Sequence, residues 1–497
     1  MKWALYNLLF AAVYPFLLPG FLVRMLRRGG YAARMGDRFA LYPEGLFGRD
    51  RPLFDSHSAL STKHGPSEAT QPKAYALSTN FVWIHAVSVG EVQVAGQLMR
   101  EWRKTEPDVR FCFSTTSSTG WKMAERELGV GVDGRCRTDG DVLIYNPLDF
   151  PNFVKSALRT VRPRAIVLTE SEIWPNFIRT AKKMGVPLFL INARVSDRSA
   201  PRYKAAKWFF EEVLSCFTRI FAQSDLDKAR LMAAGAPEER VEVTGSFKFD
   251  VARRNEDKEK ELREWVLGSD RVGVGSDKVS GGAKDPNQTL NVPKILLGGS
   301  TWPGEDEVLL KIYKGIVEAS GAAGIRALPL LVIAPRHFEK ADAIEANIRK
   351  YGFACVRRSR GEKEALHCTT TTSDYDFPPV YLADTTGELM GLYGIADVVF
   401  IGKSLCAHGS QNMIEPCLCG KPTLVGPYTE NFRPVMCDLL ASDAIVQVKD
   451  AKELEEKVRE CLEGLGSLEG LGARAKAAVE RRLGVVAKCV SEIRGAL

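Results

Sequence analysis

Between Phe81 and Thr244 the chain alternates short apolar runs with longer amphipathic stretches. The runs are Phe81–Ala86, Val109–Ser114, Ala165–Thr169, Pro187–Ile191, Arg219–Ala222 and Val241–Thr244, each followed by turn residues. This is the pattern of parallel strands covered by helices on both faces, and it predicts a doubly wound α/β domain. From Arg253 to Asn291 the pattern stops: charge dominates first, then Gly, Ser and Asp, which predicts a domain boundary carrying a solvated loop. Strand-like runs resume at Lys294–Leu297, Leu330–Ala334, Val380–Ala383, Val398–Ile401 and Thr423–Val425, predicting a second Rossmann-like domain. The division is then an anchor at 1–28, a first domain at 29–251, a linker with insertion at 252–293 and a second domain at 294–497. Two such sheets in tandem are expected to leave a cleft between their strand carboxyl ends, where open α/β folds hold ligands.

The N-terminus has a different pattern. From Trp3 to Val23 the chain is almost wholly apolar, with Asn7 the polar exception beyond the tyrosines, and it then meets Arg24, Arg27, Arg28, Arg34 and Arg38. That length suits a membrane-spanning helix, and the basic flank places the following domains on the cytoplasmic side. Pro15, Pro19 and Gly20 interrupt the segment, so a helix lying in the membrane interface stands beside the spanning one. A cleaved signal peptide is the third reading; it usually has a shorter apolar core and a small-residue cleavage site. Residues Arg51–Asn80 are polar and rich in Ser, Thr and Pro, which predicts an exposed excursion.

Composition adds little to this picture. A chain of 497 residues exceeds one ordinary core, and a net charge of +7 is a mild excess that suits phosphates or anionic lipid without demanding either. The cysteines are scattered with no C-x-x-C pair, which argues against a zinc ribbon or a secreted disulfide framework.

Candidate chemistry sits at the predicted strand exits. His85-Ala86-Val87-Ser88-Val89-Gly90-Glu91 puts a carboxylate where a helix begins: Glu91 reads as a general base for an acceptor hydroxyl, or as a charge complementing the helix dipole. Glu170-Ser171-Glu172-Ile173-Trp174-Pro175-Asn176 crowds polar groups after the run Ala165–Thr169, as a site or as capping interactions. Lys248, in Gly245-Ser246-Phe247-Lys248-Phe249-Asp250, offers a cation. In the second half, Gly298-Gly299-Ser300-Thr301 reads as a glycine-rich turn presenting backbone N–H groups to a phosphate, with Gly299 and Ser300 as its contacts. Pro335-Arg336-His337 offers Arg336 for bidentate phosphate binding. Gly409-Ser410-Gln411-Asn412 leads into Met413-Ile414-Glu415-Pro416, where Glu415 accepts ribose hydroxyls or completes a cap with Asn412.

Taken together these segments resemble the 3-deoxy-D-manno-octulosonic acid (Kdo) transferases of lipopolysaccharide assembly, which have the two-domain GT-B glycosyltransferase fold. The resemblance runs from Arg34-Met35-Gly36-Asp37-Arg38-Phe39 to Gly426-Pro427-Tyr428-Thr429-Glu430-Asn431-Phe432, through Asn192-Ala193-Arg194-Val195-Ser196 and the stretch from Asp384 to Leu389. It implies CMP-Kdo as donor and a lipid A precursor as acceptor. It also implies Glu91 as catalytic base, Glu170 and Lys248 as transition-state stabilisers, and Pro335, Arg336, Thr386, Gly387, Glu388, Asn412, Met413, Ile414 and Glu415 as CMP contacts. The chain departs from the family pattern in reading Glu170-Ser171-Glu172 for Glu-Thr-Glu, Ser246 for Asn, Ser300-Thr301-Trp302 for Ser-Thr-His, Gly402-Lys403-Ser404 for Gly-Gly-Ser and Gly409-Ser410 for Gly-Gly. Arg51–Asn80, Val130–Asp141, Glu256–Asn291 and Arg358–Pro378 read as extra surface insertions.

The expected reaction is a single inverting displacement on an inner-membrane enzyme whose catalytic domains are cytoplasmic. Protein cations stabilise the leaving CMP, no metal or nucleic acid is expected, and membrane lipid is a partner. The rival readings are another GT-B nucleotide-sugar transferase or epimerase, and a catalytically inactive lipid-binding scaffold.

Overall fold

A computed structural model of the chain describes residues 2–28, 32–47, 80–129, 140–251, 256–268, 292–322, 328–361, 377–464 and 468–497. The chain forms two compact units, Met1–Asp250 with Gly484–Leu497, and Val251–Leu483.

The first unit is built on a parallel sheet of β1 (Phe81–His85), β2 (Arg110–Thr115), β3 (Val142–Tyr145), β4 (Ala165–Thr169), β5 (Leu188–Ala193), β6 (Arg219–Ala222) and β7 (Val241–Val243). Their order is β3-β2-β1-β4-β5-β6-β7. Side chains alternate across the pleat. Phe81 and Trp83 join one apolar layer with Phe177, Leu190 and Val213, while Val82 and Ile84 join the other with Trp102, Phe111 and Phe189. Because β2 and β4 flank β1 on opposite sides, the chain reverses its direction of winding there, and the loops after β1 and β4 part to leave a crevice.

The apolar N-terminal run forms a helix, Lys2–Arg28, yet among the described residues no helix is long and apolar enough to cross a membrane. One face of the helix is spent on the first unit: Trp3 is buried, Tyr6 stacks on Phe209 at 5.4 Å, Asn7 accepts from Asn176 Nδ2 at 2.7 Å, and Phe10 and Tyr14 pack on Phe150. The basic flank is also partly internal. Arg34 pairs with Asp37, and Arg38 donates to the Thr116 carbonyl while lying over the Tyr145 ring, and both are buried. The side chains of Arg24, Arg27 and Arg28 lie outside those described.

The final helix, Val485–Gly495, belongs to this first unit rather than to the second domain, which the sequence pattern carried to Leu497. Its Val486, Cys489, Val490 and Ile493 complete the layer of Trp102 and Phe111, and Asp250 accepts from the Gly484 and Val486 N–H groups, each at 2.7 Å.

The second unit repeats the plan with β8 (Ile295–Thr301), β9 (Leu330–Pro335), β10 (Cys355–Arg357), β11 (Val380–Leu382), β12 (Val398–Ile401), β13 (Thr423–Val425) and β14 (Val446–Gln447). The order β10-β11-β9-β8-β12-β13-β14 puts its switch point between β8 and β12. Part of the expected solvated linker is here a packed helix, Glu256–Leu267, burying Leu262, Trp265, Val266 and Leu267. It comes close to the helix Leu389–Ile395 because Gly391 and Gly394 leave room for Leu262 and Glu259. The remaining proposed insertions, at 51–79, 130–139, 269–291 and 362–376, lie outside the described residues.

Asp149 ties the first unit's elements together: it accepts from the Asn176 and Phe177 N–H groups at a helix start and from the Tyr6 hydroxyl. Asp149→Ala orphans two buried N–H donors, so the urea midpoint of the first unit should fall by the equivalent of about 3 kcal/mol.

Candidate active site

In the first unit the site is assembled from the exits of β1, β4 and β5. Ser88 caps the helix Val89–Thr105 and Glu91 closes the reciprocal half of a capping box: Ser88 Oγ donates to Glu91 Oε1 at 2.8 Å, and the Val87 N–H donates to Oε2 at 3.0 Å. Thr169 Oγ1, at the end of β4, is also 3.0 Å from Oε2. The capping geometry of Glu91 is thus present in full, and it fixes the carboxylate at the switch point.

Glu170 follows at once in the left-handed region, φ +52°, which turns its carboxylate toward Arg194 Nε at 2.8 Å and Asn192 Nδ2 at 3.4 Å. Burial raises the Glu170 carboxyl, the Arg194 guanidinium opposes that rise, the Glu91 charge adds to it and Lys248 subtracts from it. Lys248, on a short 3-10 helix after Gly245 and Ser246, is lowered by burial and held up by Glu170. Asn192 accepts from the Phe247 N–H at 3.1 Å, so one buried amide positions both the Glu170 carboxylate and the lysine segment. The structure therefore brings Glu91, Glu170 and Lys248 into one electrostatically coupled group.

Two further members, Glu172 and His85, lie in the same two motifs but had no role assigned from the sequence. Burial, and then the Glu91 charge, push Glu172 up to about 7, although Trp174 Nε1 donates to it at 3.0 Å. His85, fully buried, is held down to about 3 and is neutral. Its Nδ1 lies 2.9 Å from the Ser114 hydroxyl and 3.1 Å from the Ser114 carbonyl, and its Nε2 faces Glu172 at 3.8 Å.

In the second unit the arrangement differs from the sequence expectation at its centre. Gly298-Gly299-Ser300-Thr301 is not a turn but the carboxyl half of β8. The two glycines admit neighbouring side chains: a Cβ on Gly298 would lie 2.5 Å from Leu309, and one on Gly299 2.8 Å from the Tyr393 ring. The turn that gathers backbone N–H groups follows β12 instead. Glu305, fully buried, accepts there from Lys403, Ser404, Leu405 and Cys406, and also from Trp302. An internal carboxylate fills that anion nest.

Pro335 and Arg336 end β9, with the Arg336 N–H donating to the Thr301 carbonyl and its side chain exposed. Thr386 and Gly387 are exposed as well. Burial opposes ionisation of Glu388, but Arg358, Lys258 and Thr385 outweigh it and hold the carboxyl down to about 2, so this carboxylate is committed to its own ion-pair network. Asn412 accepts from the Ile414 N–H and donates to Glu415 at 3.0 Å, which is the cap alternative displaced by one residue, since Met413 is the N-cap. Met413 and Ile414 are buried and present only backbone. Glu415 is raised by burial, and its charge in turn raises the buried Tyr393 phenol that fills the space beside Gly299.

Residues 34–251, which hold Glu91, Glu170 and Lys248, match the sequence profile of 3-deoxy-D-manno-octulosonic-acid transferase (kdotransferase). The chain is 35% identical to the 3-deoxy-D-manno-octulosonic acid transferase of Bordetella pertussis over 375 residues, covering 75% of this chain and 77% of that one. The chain belongs to the Kdo transferase family. The Haemophilus influenzae member is 30% identical over 79% of this chain and 81% of its own. Among solved structures, the C-terminal CMP-Kdo binding domain of WaaA from Acinetobacter baumannii is 26% identical and covers 38% of this chain and 90% of that one, with a TM-score of 0.33.

For this Kdo transferase family member, the buried charge of Glu172 makes a specific prediction. A carboxyl whose folded pKa is raised has its unpenalised, protonated form only at low pH, so stability is lost as pH rises from the unfolded value near 4.5 through about 7. Glu172→Gln removes that loss: its Tm should match wild type near pH 4 and exceed it by several degrees at pH 8. Equal Tm curves at both pH values would contradict the burial argument.

Proposed function

We propose that this chain is an inverting glycosyltransferase of GT-B architecture that moves Kdo from CMP-Kdo to a hydroxyl of a lipid A precursor in lipopolysaccharide core biosynthesis. Family membership supports the donor and the reaction class, and one observation carries the mechanism: Glu91 is fixed at the first switch point within the same coupled group as Glu170 and Lys248.

In this reading the acceptor hydroxyl gives its proton to Glu91 as its oxygen bonds to the anomeric carbon, and the bond from that carbon to the CMP oxygen breaks with its electron pair leaving on the phosphate. Glu170 and Lys248 steady the charge that develops, and the Arg336 guanidinium with the Thr386–Gly387 backbone meets the nucleotide. Asn412 and Glu415 take the ribose. No metal enters the scheme, so chelator-treated protein should retain transfer.

The localisation follows from the N-terminal helix. Its outward face carries Leu5, Leu8, Leu9, Val13 and Phe16 at helical spacing, all exposed, with Phe16 84% accessible. With the opposite face docked on its own unit, this reading makes the helix a monotopic anchor lying in the inner-membrane interface, on the cytoplasmic side where the lipid acceptor is met.

Glu91→Gln keeps a residue that can still complete the capping box, so Tm should stay within a degree or two while transfer falls by roughly 10²–10⁴. The assay is mass spectrometry of lipid A precursor incubated with CMP-Kdo; undiminished turnover would remove Glu91 from the base role. Changing Leu8, Leu9 and Phe16 together to Ser should release the protein from sedimenting anionic vesicles at unchanged Tm. Retention on the vesicles would refute the monotopic reading.

A further inference from the structure

Two of the positions at which this chain departs from its family's pattern, Trp302 and Lys403, meet in the structure. Trp302 follows β8 and Lys403 follows β12, its neighbour in the sheet, and the Lys403 ammonium lies over the indole at 4.7 Å from the ring centroid. One carboxylate oxygen holds both: Glu305 Oε2 accepts from the Trp302 N–H and from the Lys403 N–H, each at 2.8 Å.

The backbone at Lys403 is costly for a lysine. Its φ of +57° lies in the left-handed region that favours glycine. The loop has little freedom to relax. The next three N–H groups are also taken by Glu305, Ser410 N–H donates to the Lys403 carbonyl at 2.8 Å, and Gly402 is so close to β8 that a Cβ would fall 2.2 Å from the Ser300 carbonyl oxygen. A long cationic side chain has been placed on a rigid, unfavourable backbone, the kind of outlier that accompanies a ligand site.

The charge is also available. Among the described residues no carboxylate lies within ion-pair distance of the Lys403 ammonium, and Glu305 is saturated by backbone donors. The indole face stabilises the cation without neutralising it, leaving N–H donors directed away from the ring. Trp302 also packs edge to face on His337 at 5.1 Å, next to Arg336 at the end of β9.

Resting on the function proposed above, we infer that Lys403 is a donor-binding cation. It takes an anionic oxygen of the nucleotide sugar, either the phosphate or the sugar carboxylate, while Trp302 positions the ammonium and Glu305 positions both residues.

Three variants test this. Lys403→Met removes the charge and keeps the strained φ, Lys403→Gly removes both, and Trp302→His removes the indole but leaves the lysine. Calorimetric titration with CMP and with CMP-Kdo should show Kd raised about tenfold or more in both lysine variants, the scale of one charge-assisted hydrogen bond. Transfer should show a raised KM with kcat little changed. Trp302→His should weaken donor binding in the same direction. Only Lys403→Gly should raise Tm, a split that a purely structural role for the lysine would not give. Weakening of both ligands assigns the phosphate, and weakening of CMP-Kdo alone assigns the carboxylate. Wild-type affinity for both ligands in Lys403→Met would overturn this inference while leaving the functional reading intact; wild-type protein that binds neither ligand would overturn both.

Discussion

A parallel strand buried on both faces must hand its chain to the next helix through a turn whose N–H groups have no partners in the sheet, and in both units a glutamate meets that demand. Glu91 accepts from Val87 and Ser88 after β1, and Glu305 accepts from Trp302 after β8. Each carboxylate sits at the switch point of its own sheet, and the rest of each candidate site is arranged around it. The outcomes differ because the neighbours differ. Glu305 is surrounded by backbone donors from the turn after β12 and is spent on structure. Glu91 has hydroxyl and amide partners, and its charge raises the neighbouring Glu170 and Glu172 carboxyls that burial has already raised.

That difference accounts for the uneven electrostatics of the first unit. Three carboxylates, Glu91, Glu170 and Glu172, influence one another within a buried region served by Arg194 and Lys248. The second unit shows the converse: the Glu388 and Glu345 carboxylates are paired with Arg358, Lys258, Arg357 and Arg360 and lie near pKa 2. Groups held so firmly are scaffolding. A site that must exchange a proton needs the looser balance.

Much of the sheet architecture was legible because buried parallel strands are continuous apolar runs; Ala165–Thr169, Arg219–Ala222, Val398–Ile401 and Thr423–Val425 coincide with observed strands. The strands β3, β10 and β14 escaped notice: all three stand at sheet edges, and β10 and β14 are only three and two residues long. The N-terminal helix carries a second use that hydropathy alone does not show. A run of Trp, Tyr and Phe has the hydropathy of a membrane span, but Trp3, Tyr6, Phe10 and Tyr14 recur on one face and are used for packing within the protein. The strand exits are what the sequence offers for a site, and in the structure Glu91 and Lys248, from two of those exits, both act on the Glu170 carboxyl. The glycines after Leu297 were read as a phosphate turn because sequence alone does not reveal that Leu309 and Tyr393 fill the space they leave. Glu305 had no motif to mark it; its signal was only a glutamate four residues after the strand end at Thr301 and three after Trp302, the same offset as Glu91 from Ser88.

The return of the last helix to the first unit makes the second unit an insertion between Asp250 and Gly484, whose flanking backbone is joined by hydrogen bonds to one aspartate. Dissection of the chain must respect that topology. A fragment stopped at Asp250 would lose the helical cover over Trp102 and Phe111 and expose an apolar wall. Excision of 251–483 with a short splice would keep the first unit's core closed, and the excised segment could be produced as a continuous piece.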